Sequence, residues 1–479
     1  MNRLQSVSDG RAEIARPAYH PAAHGIGIVH LGPGAFHRAH QAVYTDAALS
    51  AEGGNWRIAG VSLRSTGAED ALAPQNGFYT LLQDGPEQIP PRLIGAVGEC
   101  RTLSRDRGRV MELLTSPATR IITLTVTEKA YGFDRATGDL IPGHDAEQDR
   151  TGPGEPSSVI GILMEALRHR RAAGTAPPTL LSCDNLPDNG TVLRAALLAY
   201  ADPALRDWIA RTVPCPSCMV DRITPAPTDR TRTRVAKLCG YEDRAAIAAE
   251  PFSQWVIEDR FPTGRPAWEA GGAQFVTDVA PFEAMKLGML NGAHSCLAYA
   301  GLAAGHQLVR EAVADPGLRA LAARLMDDAA RTVPVVAGMD LARYRDDLIA
   351  RFANPAMDHA LAQIAMDGSQ KLPQRILDPA RALIGDGHAA AAHAMAFAAW
   401  IHHLRQNAGG SVSDPMAEAL MQVFRTAGTG AETVRAVLGQ LGLSRSDALT
   451  VSGWVDRVAM NLDGFASGDP SDVIGRAAP

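Results

Sequence analysis

Aromatic residues are scarce, at 5% of 479 positions, and no run of lysine and arginine interleaves with the few present. A phosphate backbone is gripped by basic clusters and stacking rings, so nucleic acid is excluded as a partner. The net charge of -6 is spread along the whole chain, without an acidic or basic tail.

Long apolar runs are also missing. The first 25 residues scatter charges and prolines where a secretory signal needs continuous apolar sequence, and AAAAHAMAFAAWIHH at 389–403 is too short and too interrupted by histidine to span a bilayer. The expectation is a cytoplasmic protein with no membrane partner. Six cysteines, at 100, 183, 215, 218, 239 and 296, are too few and too irregular for a disulfide framework. Cys215-Pro-Ser-Cys218 has the spacing of half a zinc site, but no second pair follows, so these read as two reduced loop cysteines and no metal is expected. A Tyr-x-x-x-Lys pair, another common solution to alcohol oxidation, is absent as well.

What is present falls into two textures. Short apolar runs at 25–32, 56–63, 119–127 and 177–185 alternate with helical segments, which predicts a parallel sheet with crossover helices. From about 281 onward, long Ala/Leu/Met-rich segments at 316–332, 387–405, 413–426 and 431–440 predict helices. The boundary falls near Asp278-Val279-Ala280-Pro281, giving expected domains at 1–280 and 281–479. No repeat of fixed period appears, and oligomeric state is open between monomer and small homo-oligomer.

The first apolar run leads into Gly32-Pro-Gly34-Ala35-Phe36-His37, a candidate dinucleotide loop. Gly32 permits a tight turn and Gly34 lets the backbone approach a pyrophosphate, with a helix expected from near His37. The third glycine of that fingerprint is replaced by His37. The acid that normally grips the adenosine ribose, about 20 residues on, is missing too. The second strand instead runs out into Arg64-Ser65-Thr66, and an arginine there suits a 2′-phosphate, so NAD and NADP both stay open.

MKLGMLNGAHS at 285–295 carries Lys286, Asn291 and His294, which on an α-helix fall at about 0°, 140° and 80°, within one broad face. Such groups are costly to bury without partners. The chemical reading is a lysine that takes a hydroxyl proton as hydride leaves the adjacent carbon. Lys286 then needs its pKa brought down from about 10.4 by desolvation or nearby cationic charge. Asn291 would steady the developing alkoxide and His294 a neighbouring hydroxyl. SCDNLPDNG at 182–190 ends a predicted strand and offers Asn185 as a second amide, with Asp188 and Asn189 reading as turn formers.

Together the blocks at 32–46, 124–132, 182–190, 219–225, 250–261, 264–269, 285–301 and 351–375 resemble the mannitol dehydrogenase family, which includes fructuronate reductases. The resemblance implies an α/β fold, with a Rossmann-like dinucleotide-binding domain followed by a mostly α-helical substrate and catalytic domain. It also implies a metal-free site and NAD as the usual cofactor. It assigns Lys286 as general base, Asn185 and Asn291 as amide donors, His294 as a substrate ligand, Glu283 as a proton exit, and Asp221 and Lys371 as pocket residues.

Two departures stand out. Thr66 and Gly67 occupy the place of an acidic pair in mannitol 2-dehydrogenases, and Gln363 that of an arginine. The blocks around 282–295 and 363–375 lean towards fructuronate reductases, which predicts interconversion of D-mannonate and D-fructuronate, with Lys371 or Arg375 holding the carboxylate. The runner-up is oxidation of mannitol, sorbitol or arabitol to a ketose. A non-catalytic dinucleotide sensor is the reading from another class, and it has no need of the Lys286, Asn291, His294 and Asn185 set.

Overall fold

The computed structural model describes residues 2–336, 338–407, 413–428 and 430–477. Two compact units make up the chain, Met1–Ala280 and Pro281–Pro479.

The first unit is built on a five-stranded parallel sheet in the spatial order Val97–Thr102, Arg57–Ser62, Ile26–Leu31, Ile121–Leu124, Thr179–Ser182. Ile26–Leu31 is central because both of its faces are apolar and both are buried. Side chains alternate across it. Val29 and Leu31 join Val61, Ile122 and Leu124 in one core under the helices Arg107–Thr115, Val159–Ala172 and Asn189–Tyr200, whereas Ile28 joins Ile58, Ile121 and Leu181 under the helix Gln41–Glu52. Full burial of each such side chain stabilises by roughly 1.5–3 kcal/mol. Strand order reverses between Ile26–Leu31 and Ile121–Leu124, which opens a crevice at their carboxyl ends.

Four of these strands lie within the four predicted runs; the edge strand Val97–Thr102 does not, because Glu99 and Arg101 break up its apolar pattern. A smaller sheet pairs Cys218–Asp221 antiparallel with Gln254–Glu258, which in turn runs parallel to Gln274–Val276. Cys218 therefore opens a strand rather than sitting in a loop, and all six cysteines are free and buried.

The second unit is helical. Gly292–Ala303 is mostly apolar and buried through Gly301, as befits a central helix, and packs on Pro316–Ala330 and Ala391–Gln406; the latter also packs on Trp454–Ser467. Helix starts follow local chemistry: the Asp315 side chain accepts from Leu318 N–H with Pro316 next to it, and Asp340 accepts from Ala342 and Arg343 N–H. The stretch around 285–295, expected on one α-helix, instead belongs to three pieces. The chain runs as α-helix over Ala280–Met285, π-helix over Lys286–Asn291 and α-helix again over Gly292–Ala303. No helix among the described residues is long and apolar enough to cross a membrane.

Candidate active site

In the first unit the chain leaves its central strand through Gly32, whose φ of +90° favours glycine and whose absent Cβ would stand 2.2 Å from the Thr125 carbonyl. Gly32 N–H bonds to Val61 O at 2.9 Å and its own carbonyl accepts from Thr125 Oγ1 at 2.8 Å, which fixes the turn. Gly34 is exposed, and a Cβ there would meet nothing nearer than Gly32 O at 3.8 Å, so a ligand can lie against this backbone. Ala35 and Phe36 follow, half-buried, in a helix that starts at Ala35, earlier than expected, and breaks at His40. A cleft of about 450 Å³ opens over the strand ends at Gly32, Arg64 and Thr125–Thr127. Its position in the reversal crevice and its bare glycine turn fit a dinucleotide.

His37 does not line this cleft. It is fully buried and its ring stacks on His30 with centroids 3.4 Å apart and planes 15° apart. The third glycine of the fingerprint serves close packing of helix on strand; here a flat imidazole laid on another achieves that approach. His30 Nδ1 lies 2.7 Å from Thr123 Oγ1 and Nε2 lies 2.8 Å from Thr125 Oγ1. Burial pushes His30 down to about 3 and His37 well below the ordinary range, so both are neutral.

The SCDNLPDNG segment sorts into scaffold and surface. Asp184 accepts from Val126 and Thr127 N–H, both at 2.8 Å, and from Tyr131 Oη at 2.7 Å. It thereby holds Thr127 at a φ of +75°, a conformation costing a non-glycine residue about 1–3 kcal/mol. Asn189 is more than a turn former. Its amide donates to Asp184 O at 3.1 Å and Cys218 O at 2.7 Å, and accepts from Cys218 N–H at 3.0 Å, tying a helix start to the small sheet. Asn185 is exposed beyond the strand Thr179–Ser182, and Asp221 is buried at the end of Cys218–Asp221.

In the second unit the π-helix changes the expected angles. Its hydrogen bonds run i→i+5, so its ends lie about one turn apart. Lys286 and Asn291 therefore stand one above the other rather than about 140° apart. Glu283 (8% exposed), Lys286 (7%), Asn291 (6%) and His294 (7%) are all buried, so Glu283 does not stand on a helix surface. Asn291 Nδ2 and His294 Nε2 have no hydrogen-bond partner among the described residues, and neither has Nδ1 of His359, whose ring lies edge-on to His294 at 5.4 Å. His294 is held well below its ordinary pKa, first by burial and then by His359, Arg351, Arg375 and Lys286, so it is a neutral ring.

Arg375 enters this cluster from a second π-helix, Pro373–Leu377, packed on the first; Gly292 permits the approach, since its absent Cβ would stand 3.0 Å from Arg375 O. The guanidinium donates to Ser295 Oγ at 3.2 Å, and burial brings it down to about 10, still charged at neutral pH. Lys371 donates to Met366 O at 2.6 Å, and burial lowers its pKa as well. Gln363 lies exposed on the short helix Leu361–Ile364 and forms none of the bonds that tie Arg375 to the His294 helix. Arg351 and His359 were not singled out by the sequence reading. Both fall in the 351–375 block, whose long match was their only signal.

This pairing of a glycine-turn cleft with a lysine-bearing helical unit agrees with comparison to known proteins. Residues 26–270 match the mannitol dehydrogenase Rossmann domain and 278–464 the mannitol dehydrogenase C-terminal domain. The chain is 41% identical to D-mannonate oxidoreductase of Escherichia coli over 461 residues, covering 93% of this chain and 94% of that protein. The structure of Pseudomonas fluorescens mannitol 2-dehydrogenase in ternary complex with NAD and D-mannitol matches with a TM-score of 0.86 and 35% identity, over 99% of both chains. That of a substrate-free D-sorbitol dehydrogenase matches with a TM-score of 0.88 and 31% identity, over 100% of both. The chain belongs to the mannitol dehydrogenase family, and is an oxidoreductase acting on CH–OH groups.

Proposed function

We propose that this protein interconverts D-mannonate and D-fructuronate, with Lys286 as general base and a nicotinamide dinucleotide as redox partner. The observation that carries this reading is a buried lysine one π turn from an amide whose donors are unused: Asn291 Nδ2, with His294 Nε2 close behind it, has no partner among the described residues. An unmet buried donor costs roughly 1–3 kcal/mol in the resting protein. That cost is recovered when a substrate oxygen arrives.

In the oxidative direction Lys286 takes the proton of the reacting hydroxyl, and Asn291 donates to the alkoxide as its charge grows. His294, neutral, holds a neighbouring hydroxyl. Glu283, buried three residues before the lysine, passes the proton outward. Asn185 and Asp221 keep their expected parts as second amide donor and further substrate contact. Gly32, Gly34, Ala35 and Phe36 hold the dinucleotide, with Arg64 at its adenosine end. A bound nicotinamide supplies the acceptor for hydride from the alcohol carbon.

The choice of a sugar acid rests on charge. Arg375 is the favoured carboxylate partner because it is half-buried, charged and tied to the His294 helix, whereas Lys371 is engaged with Met366 O. The similarity to D-mannonate oxidoreductase supports the same class. Turnover of D-mannonate, mannitol, sorbitol and arabitol, followed at the reduced nicotinamide band, tests it. Oxidation of D-mannonate with loss of that activity in Arg375→Ala is the expected result; turnover of the uncharged polyols alone overturns the substrate assignment.

A further inference from the structure

The adenosine end of the cleft poses a problem that the second strand does not solve. Past Ser62 the chain runs Leu63-Arg64-Ser65-Thr66-Gly67, with no carboxylate where a free ribose is normally gripped. The nearest acids in sequence, Glu69 and Asp70, are taken by Arg105, with Nη1 at 3.8 Å and 2.6 Å respectively. A carboxylate reaches the cleft from elsewhere. Asp145 lines it together with Gly32 and Arg64, and forms an ion pair with Arg64 across 81 residues of sequence.

The position of Asp145 is fixed by its neighbour. His144 Nδ1 accepts from Ala146 N–H at 3.1 Å, which places the ring proton on Nε2, and Nε2 donates to Lys129 O at 2.8 Å. Gly132 makes room for that ring, since a Cβ there would come within 2.1 Å of it. The pair itself is open to solvent, the Arg64 and Asp145 side chains being 77% and 41% exposed. An ion pair so exposed contributes little stability, so either member changes partner readily.

We infer that Arg64 and Asp145 form an exchangeable pair that reads the adenosine ribose: Asp145 accepts from the hydroxyls of an unphosphorylated ribose, and Arg64 leaves it for a 2′-phosphate. The inference rests on the dinucleotide reading above and extends it to both cofactors. A carboxylate is the natural acceptor for a ribose diol, and a guanidinium offers a fork matched to phosphate oxygens. Lys129, on the same rim, adds a second positive charge for the phosphorylated form. The two dinucleotides are thus expected to bind with Kd values within about tenfold of each other.

Titration of the purified full-length protein with NAD+ and with NADP+, without substrate, by calorimetry or tryptophan fluorescence provides the test. In Asp145→Asn, the Kd for NAD+ rises about tenfold, the weight of one charge-assisted hydrogen bond, while that for NADP+ holds or falls. In Arg64→Ala, the Kd for NADP+ rises about tenfold or more and that for NAD+ stays within about twofold. Equal changes for both dinucleotides in either variant, or no change in both variants, overturn the pair as the ribose reader. So does a wild-type preference beyond about a hundredfold. Failure of the wild type to bind either dinucleotide is a separate result, and removes the cofactor assignment together with the inference.

Discussion

Some motif residues of the two units are satisfied by the fold to very different degrees. Around the strand ends of the first unit, Asp184, Asn189 and His30 each have at least three hydrogen-bonding contacts within the fold, and they hold up the loops that border the cleft. Around the π-helix of the second, Asn291 and His294 keep nitrogens without partners among the described residues, although both side chains are buried. Asp184, Asn189 and His30 are therefore scaffold, whereas Asn291 and His294 hold reserved capacity; His37, whose ring nitrogens also lack partners among the described residues, is held instead by stacking on His30.

The sharpest way to break this contrast is Lys286→Ala. Turnover should fall by about 10²–10⁴-fold, the usual weight of a general base, while the Kd for dinucleotide holds, and unchanged turnover would remove the lysine from the chemistry. Asn291→Ala should lower kcat by about 10²–10³-fold without lowering the melting temperature, because no internal hydrogen bond of Nδ2 is lost. Asn189→Ala should do the reverse. It leaves the buried Cys218 N–H without its acceptor, at about 1–3 kcal/mol of stability, with KM unmoved in the folded fraction; a kcat loss without a melting shift would erase the contrast. Gly32→Ala tests the turn, since a side chain at φ +90° and 2.2 Å from a carbonyl should cost about 1–3 kcal/mol in a thermal melt and weaken dinucleotide binding.

The smallest effect is one of pH. Burial holds His30 and His393 down to about 3 in the fold, against about 6.5 unfolded. The unfolded chain therefore binds protons first on acidification. Stability is fully present above about 6.5 and declines as pH falls towards about 3, by at most about 1.4 kcal/mol per pH unit for each histidine. His393→Leu should make melting temperature fall less steeply between pH 6.5 and 4.5, and an unaltered slope would mean that His393 takes up its proton equally in both states.

Sequence patterns carried much of this organisation, for identifiable reasons. Buried parallel strands such as Ile26–Leu31 are written as apolar runs, and Gly32 is dictated by its backbone angle. Val97–Thr102 was hidden by Glu99 and Arg101, which point their charges away from the core of an edge strand. Lys286, Asn291 and His294 were legible as residues, but the π turn was not, because one-dimensional periodicity does not reveal which carbonyl an amide will choose. His37 could be placed on the loop but not beneath it, since its stacking partner is set by the packing of helix on sheet. The Arg64–Asp145 pair is closed only by the fold, across a sequence distance no local pattern spans.

The π turn also has a consequence for how this chain tolerates change in length. A wider turn accommodates one residue more than an α-helical turn, so everything after Asn291 is rotated by about 100° relative to an unbroken helix begun at Ala280. Deleting a single residue between Lys286 and Asn291 would leave a perfectly good helix, with its caps and apolar content intact, yet turn His294 and Ser295 out of phase with Arg375. Composition and hydropathy would hardly change. In this stretch a frame of one residue, more than any side chain, is what separates a folded helix from a working one.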